Sequence, residues 1–187
     1  IIFNGDDVSF MGNGFPNSKV VDAFLYQGKE WYVTSDKIIE STQNGFSANK
    51  FNFPNKRTKI QAFLIDGDAR YIGTDRGLFI QKKYNDKIEL IDKANVLCIS
   101  KSKMGLILIG AKKGVYYLKD SQLKEYVLGG GIHKANIKSP VRDIEVISSN
   151  EIWLSTFGMG IYLQDPGTFK SYSTDDGLNS KGMIYDI

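Results

Sequence analysis

The sequence has little of what usually holds a small or metal-dependent protein together. Its 187 residues include one cysteine, one histidine and four prolines. One cysteine excludes an internal disulfide, and with a single histidine it also excludes a zinc site of the usual cysteine and histidine ligands. No metal or other cofactor is therefore expected. The chain is long enough to bury roughly 70% of its unfolded surface, so a core of its own can stabilise it.

Charge of one sign and long apolar runs are also missing. The 24 basic and 21 acidic side chains leave a net charge of +3, and the basic residues are spread along the chain. This balance does not predict binding to nucleic acid. No stretch reaches the roughly 18 apolar residues of a membrane-spanning helix, and the opening IIFNGDD is neither basic nor long enough for a signal peptide. A membrane or targeting segment is expected only outside this chain.

Aromatic residues and glycines, in contrast, are abundant, and a short apolar segment recurs at intervals of about 40 residues. The five copies read VVDAF, IQAFL, VLCIS, VRDIE and IYDI, and they start at Val20, Ile60, Val96, Val141 and Ile184. Each of the first four is followed by a second segment that starts with a large residue: WYVT, YIGT, LIGA and WLST. A third apolar segment follows after a turn, and a fourth follows after a polar tip.

Four short strands in each unit of about 40 residues predict an all-β protein made of β-propeller blades, with four antiparallel strands per blade. A single sheet of this kind has two apolar faces and must stack against neighbours to bury them. We expect the second-strand aromatics Trp31, Tyr71 and Trp153 to fill the wedge between neighbouring blades. Gly73 and Gly110, which lie in the same kind of strand, are expected to allow close approach of the backbone there.

The strand count predicts about four and a half blades, which form part of a larger propeller rather than a closed ring. The predicted units are a half blade at 1–12, whole blades at 19–54, 59–92, 95–128 and 140–173, and the start of a further blade at 183–187. The glycine-rich connection 129–139 is predicted to be a long loop, and Asp175-Asp176-Gly177 is predicted to be a hairpin turn.

Three phrases in combination resemble the two-component regulator propeller repeat, found in the periplasmic sensor region of hybrid histidine kinases. They are the connector phrases at Asn13 and Asp176, the second strand with its terminal Thr, and the Gly-apolar-aromatic start of the third strand, as in YIGTDRGLFI and WLSTFGMGIYL. The resemblance covers nearly the whole chain. Three departures stand against it: Leu108 in place of the aromatic residue, Ala111 in place of Thr, and SDKII where a Gly-Gly turn is usual.

The resemblance implies a seven-bladed type of ring and a periplasmic, non-catalytic sensor. Such a module would recognise a carbohydrate-derived signal and relay it to a kinase module outside this chain. The implied partners are an oligosaccharide or other small-molecule signal, the remaining blades, the downstream signalling domains and a second copy in a homodimer.

In a propeller, the turns between second and third strands and the connections between blades emerge on one face, where ligands usually bind. The candidate ligand-binding residues in these segments are Asp75, Arg76, Lys112, Phe157, Met159 and His133. Asp75 and Arg76 offer a clamp for a carboxylate or sugar, and exposed Phe157 and Met159 offer a stacking surface. Each has a plainer alternative: a capping aspartate, a charged turn, an apolar contact with the next blade, or a solvated histidine.

Two other classes of function stay open on the residues alone. The chain is an interaction scaffold if its faces hold other proteins and no small molecule. An enzyme such as a propeller lyase or glycosidase would need acids or histidines clustered at the axis, and the candidate segments are mostly not acidic. We therefore name no catalytic residue.

Overall fold

The computed structural model describes residues 2–4, 7–9, 19–84, 86–130, 133–148 and 150–178, with only the strand pairing described for 2–4 and 7–9. Regular structure in these residues is β-strand, apart from one short 3-10 helix at Thr174–Asp176. The first two strands, β1 (Ile2–Asn4) and β2 (Asp7–Ser9), form an antiparallel hairpin. The predicted all-β class is confirmed.

Four sheets of four antiparallel strands follow, each with its strands paired in chain order. Blade 1 contains β3 (Val20–Tyr26), β4 (Lys29–Thr34), β5 (Ile38–Thr42) and β6 (Gly45–Asn49). Blade 2 contains β7 (Ile60–Asp66), β8 (Ala69–Thr74), β9 (Gly77–Gln81) and β10 (Glu89–Asp92). Blade 3 contains β11 (Val96–Lys101), β12 (Ile107–Ala111), β13 (Gly114–Lys119) and β14 (Gln122–Glu125).

A short hairpin separates blade 3 from blade 4. It pairs β15 (Leu128–Gly130) with β16 (His133–Ala135). Blade 4 contains β17 (Val141–Val146), β18 (Ile152–Thr156), β19 (Ile161–Asp165) and β20 (Thr168–Tyr172). Four such blades form part of a propeller, which implies further blades. Residues 183–187, where the start of another blade is predicted, lie outside the described residues.

The hydrophobic core lies between the blades, because each sheet is apolar on both faces. Three clusters of buried side chains each combine residues of two neighbouring blades. Blades 1 and 2 share Trp31, Val33, Ile38, Ile60, Phe63, Ile65, Ile72 and Phe79. Blades 2 and 3 share Leu78, Val96, Ile107 and Ile109. Blades 3 and 4, with the hairpin, share Leu108, Val115, Leu128, Ile137, Val141, Ile144, Ile152, Leu154 and Tyr162.

The predicted close approach at the second-strand glycines is confirmed. A Cβ added to Gly73 would lie 2.6 Å from Cγ1 of Val96, and Val96 belongs to the next blade. A Cβ added to Gly110 would lie 2.8 Å from the carbonyl oxygen of Val141 and would also meet Sγ of Cys98. Both distances are shorter than van der Waals contact, so blades 2, 3 and 4 stack as they do only because these positions lack a side chain.

The second-strand aromatics divide into two groups. Trp31 is 4% exposed, and its ring lies 6.2 Å from that of Phe63 in blade 2, so it fills the wedge between blades as predicted. Tyr71 is half-buried beside the cluster between blades 2 and 3. Trp153 is also half-buried, but it stacks on Tyr172 of its own blade, and no described blade lies beyond it.

Two local predictions are wrong. The connection 129–139 is not simply a loop, because its first part forms the hairpin of β15 and β16. This hairpin contacts β20, and Leu128 is fully buried in the core between blades 3 and 4. Asp175 and Asp176 do not form a hairpin turn. They belong to the 3-10 helix, which Ser173 caps through a reciprocal pair of hydrogen bonds with Asp176.

Candidate functional site

Every blade has a β-bulge at the same place in its first strand. The pairing of first and second strands shifts by one residue between Val20 and Asp22, and the same shift recurs in the other three blades. A bulge adds one unpaired residue, bends the strand and redirects the neighbouring side chains. The four added residues are Val21, Gln61, Leu97 and Arg142.

The bulges surround a cavity of about 590 Å³, which we call the axial cavity. It lies among β3, β7, β11 and β17, the first strands, which contact one another from blade to blade. Each blade contributes the added residue and the residue after it. These eight residues are Val21, Asp22, Gln61, Ala62, Leu97, Cys98, Arg142 and Asp143.

The wall of the axial cavity is half apolar and half polar. The carboxylates of Asp22 and Asp143 are balanced by the cationic side chains of Arg142 and Lys19, which also lies at the cavity. The formal charges therefore sum to zero. Mixed walls of this kind, with a few placed polar groups among apolar ones, are typical of sites for small molecules.

Cys98 is a protonated thiol at this wall rather than a reactive one. Burial raises the pKa of Cys98 above its usual range, and the negative charge of Asp143 acts in the same direction. Its Sγ donates a hydrogen bond of 3.8 Å to the carbonyl oxygen of Val141. A nucleophilic or metal-binding cysteine needs the thiolate, which this environment disfavours.

The turns between second and third strands lie at the same end of the blades as the bulges. The register requires this, because the first residue of each first strand pairs with the last residue of each second strand, as Val20 does with Thr34. In three blades a threonine hydroxyl closes the turn by donating to a backbone carbonyl, as Thr74 does to Gly77 at 2.7 Å. We call this end of the molecule the turn face.

Asp75 and Arg76 lie in the turn between β8 and β9 on the turn face. Oδ1 of Asp75 accepts a hydrogen bond of 2.8 Å from the backbone N–H of Lys59, and the N–H of Asp75 donates to the carbonyl oxygen of Lys59. Asp75 therefore ties its turn to the connection that enters blade 2. The side chain of Arg76 is exposed, and its backbone N–H donates to Oγ1 of Thr74.

Lys112 occupies the corresponding turn of blade 3, between β12 and β13. Its side chain is exposed, and its backbone N–H donates to the carbonyl oxygen of Asn95 at 2.9 Å. Lys112 thus joins its turn to the connection that enters blade 3, as Asp75 does for blade 2. Neither residue lines the axial cavity.

Phe157 and Met159 stand out of the turn between β18 and β19, with exposed fractions of 46% and 51%. The backbone of Phe157 is held from two sides, because its N–H donates to Pro140 and its carbonyl oxygen accepts from Ser139. Its ring centroid lies 5.9 Å from the guanidinium carbon of Arg142. Phe157, one of the six predicted ligand-binding residues, therefore contacts Arg142, a wall residue of the axial cavity.

His133 lies apart from the other predicted residues. It is exposed in β16, and the hairpin that carries it contacts β20, the last strand of blade 4. The axial cavity is lined from first strands, so His133 does not take part in it.

The polar wall of the axial cavity is not among the sites that the sequence predicts. Its polar residues are Asp22, Gln61, Cys98, Arg142 and Asp143, and none of them is one of the six candidate ligand-binding residues. The repeated aspartate of the first strand is the one available signal. A bulge is a property of strand pairing, so the sequence of one strand does not reveal it.

A second, smaller cavity of about 200 Å³ lies at the opposite end of blades 1 and 2. There the guanidinium of Arg70 lies 5.6 Å from the ring centroid of Trp31 and 4.4 Å from that of Tyr84. Burial lowers the pKa of Arg70 below its usual value, while Tyr84 and the carboxylate of Glu40 oppose that shift. Because Trp31 belongs to blade 1 and Arg70 to blade 2, this contact joins two blades.

No family model matches the sequence, and no curated protein matches it either. Solved propellers are similar in fold. The extracellular domain of the putative hybrid two-component system BT4673 from B. thetaiotaomicron matches with a TM-score of 0.64 and 16% identity, over 87% of this chain and 23% of that one. PorZ, a surface component of the type-IX secretion system of Porphyromonas gingivalis, matches with a TM-score of 0.66 and 14% identity, over 96% and 31%.

One of the structurally similar proteins is an enzyme. A catalytically inactive variant of virginiamycin B lyase from Staphylococcus aureus, solved with quinupristin, has a TM-score of 0.62 and 16% identity, over 84% of this chain and 56% of that one. The chain thus spans less than two thirds of the length of these structures. At such identities the similarity shows the β-propeller fold alone.

Two further findings bear on the site. Among the residues that the structure describes, no group of three or more His, Cys, Asp and Glu side chains is arranged to hold a metal ion. In the same part of the chain, no helix has the length and apolar character needed to cross a membrane.

Proposed function

We propose that this chain is the ligand-binding part of a sensor propeller, and that the axial cavity holds a carbohydrate-derived signal. The observation that carries the proposal is the bulge repeated in all four first strands, which places eight side chains around one cavity of about 590 Å³. A cavity lined from four separate repeats by both apolar and polar residues suits a small neutral ligand.

In this proposal the turn face forms the rim of the site. Asp75, Arg76, Lys112, Phe157 and Met159 lie there, and Phe157 reaches Arg142 at the wall. A role for His133 in ligand contact stays a prediction, because the hairpin places it against β20. The extracytoplasmic location, the kinase module outside this chain and a homodimer are part of the proposal, and the fold-level similarity to the BT4673 extracellular domain supports it.

The chain is non-catalytic in this proposal. The single histidine of the sequence lies in β16, away from the cavity, and the thiol of Cys98 stays protonated. General acid–base chemistry needs a group that exchanges a proton near neutral pH within reach of the substrate. Two observations speak for the enzyme alternative: the carboxylates of Asp22 and Asp143 both line the axial cavity, and a lyase is among the structural neighbours.

Thermal unfolding with a panel of malto-, cello-, xylo- and arabino-oligosaccharides tests the proposal. We expect at least one saccharide to raise the melting temperature of the wild type. Val21→Trp should abolish that shift, because Val21 is 44% exposed at the cavity wall and a tryptophan there fills the space. Ile147→Trp is the matched control, since Ile147 is 48% exposed next to the end of β17 that points away from the bulge.

An interaction scaffold is the second candidate function. The exposure of Phe157 and Met159 favours it, because adjoining apolar side chains on a turn suit contact with a protein. No melting shift with any saccharide, together with a protein partner that is lost in Phe157→Ser, would replace the sensing proposal with this one.

A further inference from the structure

The turn face of blades 2 and 3 carries a group of exposed basic side chains. They lie in the connection that enters blade 2, in the turn between β8 and β9, and in the turn between β12 and β13. We call them the basic patch, and they are Lys56, Arg57, Lys59, Arg76, Lys112 and Lys113. None of them forms an ion pair with a residue that the structure describes. The patch therefore presents cationic groups to any molecule that approaches this face.

The charge of the basic patch is not balanced within its own segments. Among 56–59, 75–76 and 112–113 there is one carboxylate, that of Asp75, and it already accepts a hydrogen bond from the backbone N–H of Lys59. The turns at the opposite end of blades 2 and 3 contain four lysines and three aspartates, in 67–68, 82–88, 102–106 and 120–121. The excess of positive charge thus belongs to one end of these blades, which the mild net charge of the chain conceals.

Backbone hydrogen bonds hold the segments of the basic patch in place. The N–H of Asp75 donates to the carbonyl oxygen of Lys59 at 3.1 Å, which adds a second bond between these two residues. The N–H of Lys112 donates to the carbonyl oxygen of Asn95 at 2.9 Å. Because the backbone is already fixed at these points, a partner has to order only the side chains when it binds.

The chemistry of the basic patch favours a run of carboxylates over a sugar. Ammonium and guanidinium groups only donate hydrogen bonds, and the guanidinium of Arg76 can pair with a carboxylate through two of them. A sugar also needs acceptors for its hydroxyls and a ring for its C–H face, and the three segments contain no aromatic residue. Phe157 and Met159, which are exposed on the same face, suit the apolar side chains of a peptide.

We propose that the basic patch binds an acidic segment of a partner protein, in which aspartate or glutamate side chains recur. Opposite charges on two protein surfaces raise the rate of encounter and select the partner. The inference goes beyond the proposed function, because the basic patch and the residues that line the axial cavity have no member in common.

Fluorescence anisotropy with a labelled peptide in which glutamate alternates with serine tests the inference. The wild type should bind this peptide and should not bind the same peptide with glutamine in place of glutamate. The affinity should fall steeply between about 0.05 M and about 0.3 M NaCl, because salt screens the attraction between exposed charges.

Arg76→Glu combined with Lys112→Glu should weaken binding about tenfold or more, because two attractive contacts become repulsive. Lys83→Glu combined with Lys103→Glu is the matched control. It changes the net charge by the same amount in exposed turns at the opposite end, and it should leave the affinity within about twofold. Without peptide, all three proteins should melt at the same temperature, since Arg76 and Lys112 hold their turns through backbone N–H groups.

Binding that is lost in the patch variant and kept in the control supports the inference. If the patch variant melts at a lower temperature, Arg57→Gln combined with Lys113→Gln repeats the comparison without reversing charge, and it should still weaken binding. The inference is overturned by no binding to the glutamate peptide, by equal losses in patch and control variants, or by tighter binding of oligogalacturonate, which would assign the patch to an acidic polysaccharide. The saccharide panel for the axial cavity contains only neutral sugars, so its result decides the proposed function separately.

Discussion

One position of the repeat is buried in blade 2 and exposed in blade 1. In blade 2 it faces blade 1, whereas in blade 1 it lies on the opposite face of the sheet. Ile65 in β7 and Leu25 in β3 are the sixth residues of equivalent first strands. Ile65 is 8% exposed because it packs among residues shared with blade 1, whereas Leu25 is 76% exposed. The side chains are alike in size and hydrophobicity. The difference therefore comes from the neighbouring blade and not from the residue.

The second-strand tryptophans of blades 1 and 4 show the same contrast between a covered and an uncovered face. Trp31 is covered by Phe24 of its own blade and by Phe63 and Arg70 of blade 2. Trp153, its counterpart in blade 4, stacks on Tyr172 and donates a hydrogen bond to Glu151, both in blade 4 or its turn. Trp31 thus owes its burial to blade 2, whereas no described blade lies against Trp153. A neighbouring blade does not bury every second-strand aromatic, because Tyr71 is half-buried although it packs against residues of blade 3.

The largest expected effect separates the two tryptophans. Trp31→Ala should lower the free energy of unfolding by about 3–5 kcal/mol, because it opens a cavity between two blades. Trp153→Ala should cost roughly half as much, since part of that ring already faces solvent. Urea denaturation of both variants measures the difference. Equal losses would show that Trp153 is covered in solution by residues outside the described part of the chain.

The pair Ile65 and Leu25 should give the next largest difference. We expect Ile65→Ala to lose about 2–4 kcal/mol of unfolding free energy, and Leu25→Ala to change it by less than about 0.5 kcal/mol. The reason is that only Ile65 leaves an internal cavity. Chemical denaturation in a dilution series gives both values and reveals self-association. A large, concentration-dependent loss for Leu25→Ala would mean that another copy covers this face.

The smallest expected effects concern the second-to-last residue of the second strand, which is Gly110 in blade 3 and Ser155 in blade 4. Gly110→Ala should lose about 1–3 kcal/mol, because its Cβ would meet Val141 and Cys98. Ser155→Ala, at the same position in blade 4, should be neutral or slightly stabilising, because the buried Oγ of Ser155 has no hydrogen-bond partner in the described residues. Thermal unfolding compares the two. A clear loss for Ser155→Ala would indicate a donor or acceptor from a further blade.

Most of the fold was predictable from the sequence, whereas most of the candidate site was not. The repeat period, the strand order and the close approach at Gly73 and Gly110 follow from residue types at fixed spacing. The hairpin of β15 and β16 does not, because Gly129–Gly131 resembles a loop and the hairpin depends on the burial of Leu128 and on contact with β20. Likewise, Asp75 was correctly placed in its turn, but its bond to Lys59 joins residues far apart in the sequence.

Residue types at fixed spacing are enough to define a chain of four-stranded antiparallel units that must stack to bury two apolar faces. That much is local, because alternation of side chains and turn residues act within about 40 residues. Packing between blades, in contrast, sets which faces are covered and where polar groups converge. Gln61 and Arg142 are far apart in the chain, and they meet one cavity because bulged first strands are brought together by packing between blades. The burial of a side chain and the convergence of polar residues depend on neighbouring blades, so the sequence of a single repeat does not determine them.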